Sequence, residues 1–130
     1  MTVYKFSQRS LDRLKGIHPD LVTVVVAALY RYTTIDFTVI EGVRDIDMQK
    51  VLVQQGKSWT MNSKHLIQPD GFAHAVDLAP WRPGGIPWDD WDAFRSVAAA
   101  MKFSARYLQV QIVWGGDWKV KDGPHFQLGR

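Results

Sequence analysis

The sequence predicts an α+β fold, a small and mainly antiparallel sheet packed with about four helices. Three observations lead there. Apolar residues recur at helical spacing towards both ends of the chain, short strand-like runs lie between and after them, and no regular strand–helix alternation announces a parallel sheet. No internal repeat, low-complexity stretch or linker interrupts the 130 residues. The expectation is therefore one domain over residues 1–130, large enough to bury a core without disulfides or a structural metal.

Ser7 can cap a first helix of about three turns, with Leu11 and Leu14 on one face and Gly16 as its stop. His18-Pro19 opens a second helix, because proline at the first helical position loses no hydrogen bond. Leu21, Val24, Val25, Ala28 and Leu29 form its buried stripe. Three consecutive valines make a strand the competing reading there. Phe37 to Ile40 is a short strand, and Asp45 caps a third helix to about Gln55, with Met48, Val51 and Leu52 inward. Gly56 ends it.

Lys57 to Asp70 is a polar loop closed by the turn Pro69-Asp70-Gly71. Ala73 to Ala79 is a strand with Ala73, Ala75 and Asp77 on one face and His74, Val76 and Leu78 on the other. After a Pro/Gly-rich loop, Asp89 or Asp90 starts the longest helix, with the stripe Trp91, Phe94, Val97, Ala98 and Met101, to about Tyr107. Gln109 to Trp114 is a strand and Gly115-Gly116-Asp117 a turn. His125 to Leu128 is the last strand, with Phe126 and Leu128 towards the core.

The composition closes off several function classes. There is no cysteine, so disulfides, thiolate metal sites and thiol catalysis are excluded. The net charge of +3 and pI near 9.3 suit weak attraction to an anionic polymer. No basic run marks a nucleic-acid tail, and a small nucleic-acid binder has only the pI in its favour. The first residues, Met1 to Phe6, lack a signal-peptide pattern, and the longest apolar run, Val24 to Leu29, is far below the ~20 residues that span a bilayer. Cytoplasmic synthesis without stable membrane insertion is expected.

The chemistry concentrates in two stretches. One runs from Ser63-Lys64-His65 to Ala73-His74-Ala75-Val76-Asp77; the other is Asp122-Gly123-Pro124-His125-Phe126. A catalytic zinc takes three protein ligands and keeps a position open for water. His65, Asp77 and His125 form such a set on the sheet face, and Asp122 beside them suits the proton transfer that hydrolysis needs. Any of these histidines alone is more often a surface or capping residue than a ligand. His18 reads as structural. His74, opposite Asp77 across the strand, reads as a packed or hydrogen-bonded side chain.

The order Ser63-x-His65, Ala73-His74-Ala75-Val76-Asp77, Trp114-Gly115-Gly116-Asp117-Trp118 and Asp122-Gly123-Pro124-His125 resembles the D-Ala-D-Ala carboxypeptidase/L-alanyl-D-glutamate endopeptidase family of zinc peptidases. The likeness covers roughly residues 40–128 and is greatest to small bacteriophage endolysins. It implies Zn2+ on His65, Asp77 and His125, Asp122 as the catalytic base, and Arg44 near the substrate, pairing with a carboxylate or steadying an oxyanion. It further implies a monomeric peptidase of the peptidoglycan stem peptide, cutting between L-Ala and D-Glu, with no nucleic-acid partner and no separate wall-binding domain. Such an enzyme is made in the host cytoplasm and acts in the periplasm and wall after the membrane is opened.

The alternatives are a D-Ala-D-Ala carboxypeptidase or dipeptidase and a non-enzymatic wall-binding module. Three departures from the family pattern stand out: Ala73 in place of glycine, an extended 66–72 loop, and Gln127 where many members carry glutamate. Trp114 and Trp118 are placed to wall the site, or simply to pack. Trp59, Trp81 and Trp88 lie in loops, with core closure as their default role.

Overall fold

The computed structural model describes residues 3–129. Ser7 caps helix α1 (Gln8–Arg13), its hydroxyl accepting the Ser10 N–H. His18 caps α2 (Pro19–Ala27) with its ring Nδ1, which accepts from the Asp20 N–H. The helix runs on as a π-helical turn over Ala28–Tyr32. Strand β1 (Phe37–Glu41) and helix α3 (Ile46–Gln54, capped by Asp45) follow. Then come β2 (Ala75–Pro80), α4 (Trp91–Leu108, capped by Asp90), β3 (Ile112–Trp114) and β4 (His125–Leu128).

The valine run is helical because of what it buries. Leu21, Val24, Val25 and Ala28 have no exposed surface. Burying each large apolar side chain contributes about 1.5–3 kcal/mol. Valine's deficit in helix propensity is below about 1 kcal/mol per residue. Tertiary burial therefore decides the conformation.

The four strands form one antiparallel sheet in the order β1-β2-β4-β3. Its core face carries Val39, Val76, Leu78, Phe126 and Leu128, packed with side chains of α2 and α4 in one cluster. The other face of the central pair carries Ala75 and Asp77 on β2, with His125 and Gln127 on β4. A bulge between Val39 and Glu41 sets Glu41 opposite Asp77, and Asp77 in turn lies opposite His125. Glu41, Asp77 and His125 thus stand in a row across three strands.

Several elements differ from expectation. Helix α1 has only six residues, and it turns Ser10 and Leu14 inward while Leu11 is exposed. Its inward face serves the free edge of β1: Ser10 Oγ accepts the Val39 N–H (3.1 Å), and Arg13 Nη1 donates to Val39 O (3.0 Å). Met48 and Val51 of α3 are exposed, and the buried residue is Gln49. No residue of α3 joins the hydrophobic cluster; Gln49 ties the helix to Arg44, Ser58 and Thr60 instead. Strand β2 begins at Ala75, with Ala73 in isolated bridges to Ile17 and Ile67. Strand β3 begins at Ile112 because α4 ends on a left-handed Gln109 (φ 59°). Trp59, Trp81 and Trp88 are exposed rather than closing the core.

Ser10→Ala leaves the Val39 N–H buried without its acceptor. The expected cost is about 1–3 kcal/mol, read as a lower urea midpoint with an unchanged m-value.

Candidate metal centre

The antiparallel pairing of β2 and β4 brings Asp77 and His125 face to face, and His65 joins them from the loop that precedes β2. Three backbone bonds fix that loop. The Arg44 N–H donates to His65 O (2.9 Å), the His74 N–H to Lys64 O (2.8 Å), and the His65 N–H to Ser63 Oγ (3.1 Å). Asp77 Oδ1 lies 3.1 Å from His65 Nε2 and 3.4 Å from His125 Nδ1. One donor atom from each of the three residues falls within 4.8 Å of the others.

These distances suit a metal. A tetrahedral ion with bonds of about 2.0–2.1 Å spaces its ligand atoms about 3.3–3.4 Å apart. The tautomers suit it too. His65 Nδ1 lies 2.8 Å from Gly42 O; a carbonyl only accepts, so Nδ1 carries the proton and Nε2 presents a lone pair to Asp77. His125 Nε2 donates to Gln127 Oε1 (2.8 Å), which leaves Nδ1 as the inward lone pair. Outward N–H groups fixed by a second layer of acceptors are the usual setting of metal-bound imidazoles. Three acceptors converging on one point require a cation, whether a proton or a metal.

The proton affinities express the same arrangement. Burial raises the Asp77 carboxyl, but its contacts to His125 and His65 outweigh that and hold it well below the usual carboxylate range. Burial lowers His125, yet the hydrogen bonds to Asp77 and then Gln127 prevail and raise it. Asp122 is raised, first by its own burial and then by the charge of Asp77. Two carboxylates of opposite tendency therefore sit side by side.

Asp122 reaches the site through a close approach of backbones. Its N–H donates to Gly115 O (2.9 Å), and the His125 N–H donates to Asp122 O (3.2 Å). A Cβ on Gly115 would lie 2.4 Å from Asp122 O and 3.1 Å from His125 Cβ, so only glycine fits. Trp114, buried below, donates its indole N–H to Gly123 O (2.7 Å). Gly42 has a similar constraint: a Cβ there would meet Arg13 O at 1.9 Å.

Arg44 sits on the rim with three of its donors engaged. Nε and Nη2 bind both oxygens of Glu41 (2.6 and 2.8 Å), and Nη1 binds Gln49 Oε1 (2.7 Å). The cleft of about 460 Å³ over the row also takes in Lys57, Trp59, Lys64 and Trp118. Trp118 packs its ring against His125, with centroids 5.0 Å apart.

His65, Asp77, Asp122 and His125 are thus brought together, with Arg44 on the same cleft. His74 turns away and bonds Asp70 (2.7 Å), and His18 serves as a helix cap. Sequence reasoning missed Glu41, Gly42 and Gly115. The spacing of Glu41 and Arg44 was a readable hint of an ion pair. The roles of the two glycines lie in backbone atoms and had no signal.

The family model for phage L-alanyl-D-glutamate peptidase matches residues 2–128. The L-alanyl-D-glutamate peptidase of Escherichia phage T5 is 28% identical over 130 residues, covering 98% of this chain and 90% of that protein. The L-alanyl-D-glutamate peptidase of Listeria phage A118 is 33% identical over 95 residues, 72% of this chain but 31% of that protein. Among solved structures, the L-Ala D-Glu endopeptidase ChiX of Serratia marcescens superimposes with a TM-score of 0.84 at 41% identity, covering 96% of this chain and 90% of that one.

A divalent transition metal should stabilise the fold. At a hundredfold excess over its dissociation constant the gain is about 2.7 kcal/mol, or roughly 8–12 °C in melting temperature for a chain of this size. The raised His125 holds its proton to higher pH than an ordinary histidine, so metal affinity should fall as pH drops through that raised value. Gln127→Ala, which frees the outer nitrogen of His125, should weaken binding about 10- to 100-fold in calorimetric titrations.

Proposed function

The chain belongs to the phage L-alanyl-D-glutamate peptidase family, and from that premise we propose that it hydrolyses the stem peptide of peptidoglycan at the L-Ala–D-Glu bond, with Zn2+ held by His65, Asp77 and His125. The observation that carries this reading is the convergence of two imidazole lone pairs on a buried carboxylate, with a second carboxylate alongside. The ligand types suit zinc. Zinc held there would lower the pKa of a bound water to about 7 and polarise the scissile carbonyl.

The remaining steps belong to the chain's own residues. Asp122 accepts the proton of the attacking water and passes it to the leaving amine of D-Glu as the C–N bond breaks. Its raised proton affinity suits a group that must hold that proton between the two events. Arg44 keeps one N–H on each Nη beyond those bound to Glu41 and Gln49. It steadies the negative charge that develops on the carbonyl oxygen. Glu41 and Gln49 are positioning residues that keep the guanidinium from folding away. Trp118, against His125, limits water on one side.

No helix among the described residues is long and apolar enough to cross a membrane. The protein is read as a lysis enzyme made in the host cytoplasm, acting as a monomer on the wall once the inner membrane is opened. A net charge of +3 favours contact with an anionic wall.

Digestion of purified peptidoglycan tests the reading. Mass analysis should show stem peptides beginning at D-Glu, and a chelator should abolish their release. Release of terminal D-Ala instead would overturn the assigned bond. Asp122→Asn should keep its metal and lose about 10²- to 10⁴-fold in kcat. If it lost metal and activity together, its role would be structural.

A further inference from the structure

We propose that Lys64 selects the glutamyl substrate by pairing its ammonium with the free carboxylate beside the scissile bond. The inference rests on the peptidase reading above and assigns that site its specificity. Six residues that carry charge at neutral pH line the cleft: Glu41, Arg44, Lys57, Lys64, Asp77 and Asp122. Four of them are committed. Arg44 and Glu41 bind each other through two hydrogen bonds, Asp77 lies between the two histidines, and Asp122 is the base of the reaction. With a dication balancing the two aspartates, and Glu41 balancing Arg44, the two lysines remain as uncompensated positive charge. Neither makes an ion pair or a side-chain hydrogen bond with any described residue.

Position separates the two lysines. Lys57 is exposed, just past the end of α3, whereas Lys64 is half-buried. Lys64 immediately precedes the ligand His65, and its carbonyl is held by the His74 N–H at 2.8 Å. Its Cα is therefore fixed about 3.8 Å from that of His65. An ammonium on the cleft wall without a counter-ion is available to a bound carboxylate, as a charge-assisted hydrogen bond.

Substrate chemistry supplies that carboxylate. Glutamate has two carboxyl groups, and a peptide continues through only one of them. When it continues through the side chain, the free carboxylate sits on the carbon that bears the scissile nitrogen. A cation that recognises it must line the same cleft as the metal-binding side chains, as Lys64 does. Arg44 is the less suitable partner, because Glu41 already balances its charge through two hydrogen bonds.

The test uses two synthetic stem peptides that differ only in this group, free carboxylate against carboxamide, cut by zinc-loaded protein. Wild type should prefer the carboxylate about 10- to 100-fold in kcat/KM, the range for one charge-assisted hydrogen bond. Lys64→Met should erase that preference by slowing the carboxylate peptide alone, Lys64→Arg should keep it, and Lys57→Met should keep it. The proposal is overturned if wild type shows no preference, if Lys64→Met slows both peptides equally, or if the preference disappears in Lys57→Met instead. Should wild type cut neither peptide at the L-Ala–D-Glu bond, the peptidase reading itself fails and the role of Lys64 falls with it.

Discussion

A carboxylate buried between two imidazole lone pairs is the constraint on which the site depends. Asp77 stands in the middle strand of the row Glu41–Asp77–His125, where few water molecules can solvate its charge. Its neighbours do so instead. Because His65 spends its outer N–H on Gly42 O and His125 spends its own on Gln127, neither ring can satisfy Asp77 without an added cation. A proton fills that role only while one imidazole is charged. A divalent metal bound there would fill it without a charged imidazole, with a coordination position to spare. The second layer of acceptors thus determines what the first can bind.

The geometry is held by backbone contacts more than by side-chain packing. Gly42 passes so close to Arg13 O that a methyl group would collide, and this approach aims the Gly42 carbonyl at His65. Gly115 does the same at the other end, letting the Asp122–His125 turn lie against the end of β3. Asp122 and His125 are therefore set by one turn and one close approach. Strand register adds the rest. A slip of one residue between β2 and β4 would send His125 into the apolar core and Phe126 into the cleft. Burial of Val76, Leu78, Phe126 and Leu128 opposes that slip and so protects the site from the far side of the sheet.

Much of this was legible in the sequence where side-chain pattern carries the information. The stripe Leu21, Val24, Val25, Ala28, Leu29 and the alternation in β2 and β4 gave the helix, the strands and their facing, since burial follows period. The sequence likeness brought His65, Asp77, Asp122, His125 and Arg44 to attention, and all five line one cleft. What stayed hidden has a different physical origin. Met48 and Val51 look like an inward stripe, but α3 is held off the core by the polar node at Gln49. Leu11 is exposed because α1 offers Ser10 and Arg13 to a strand edge, a demand set by β1 and not by α1 itself. Gln109 turns a helix end in the left-handed region that usually calls for glycine, so composition alone suggested a strand there.

The two walls of the cleft obey different rules, and this follows from what each must do. A metal-binding group tolerates displacements of only about 0.5 Å, and His65, Asp77 and His125 sit on or beside paired strands whose other face is packed. The opposite wall, α3 and the loop to Asn62, contributes nothing to the hydrophobic cluster. It is tied to the rim by one buried amide, Gln49, which reaches Arg44, Ser58 and Thr60 together. This wall carries Lys57 and the exposed Trp59 at the cleft edge. A substrate embedded in a large cross-linked polymer arrives with constrained orientation. A floor held by packed strands beneath a polar wall that the core does not include meets that restriction: the His65–Asp77–His125 group is set by the sheet, and the cleft edge by elements outside the hydrophobic cluster.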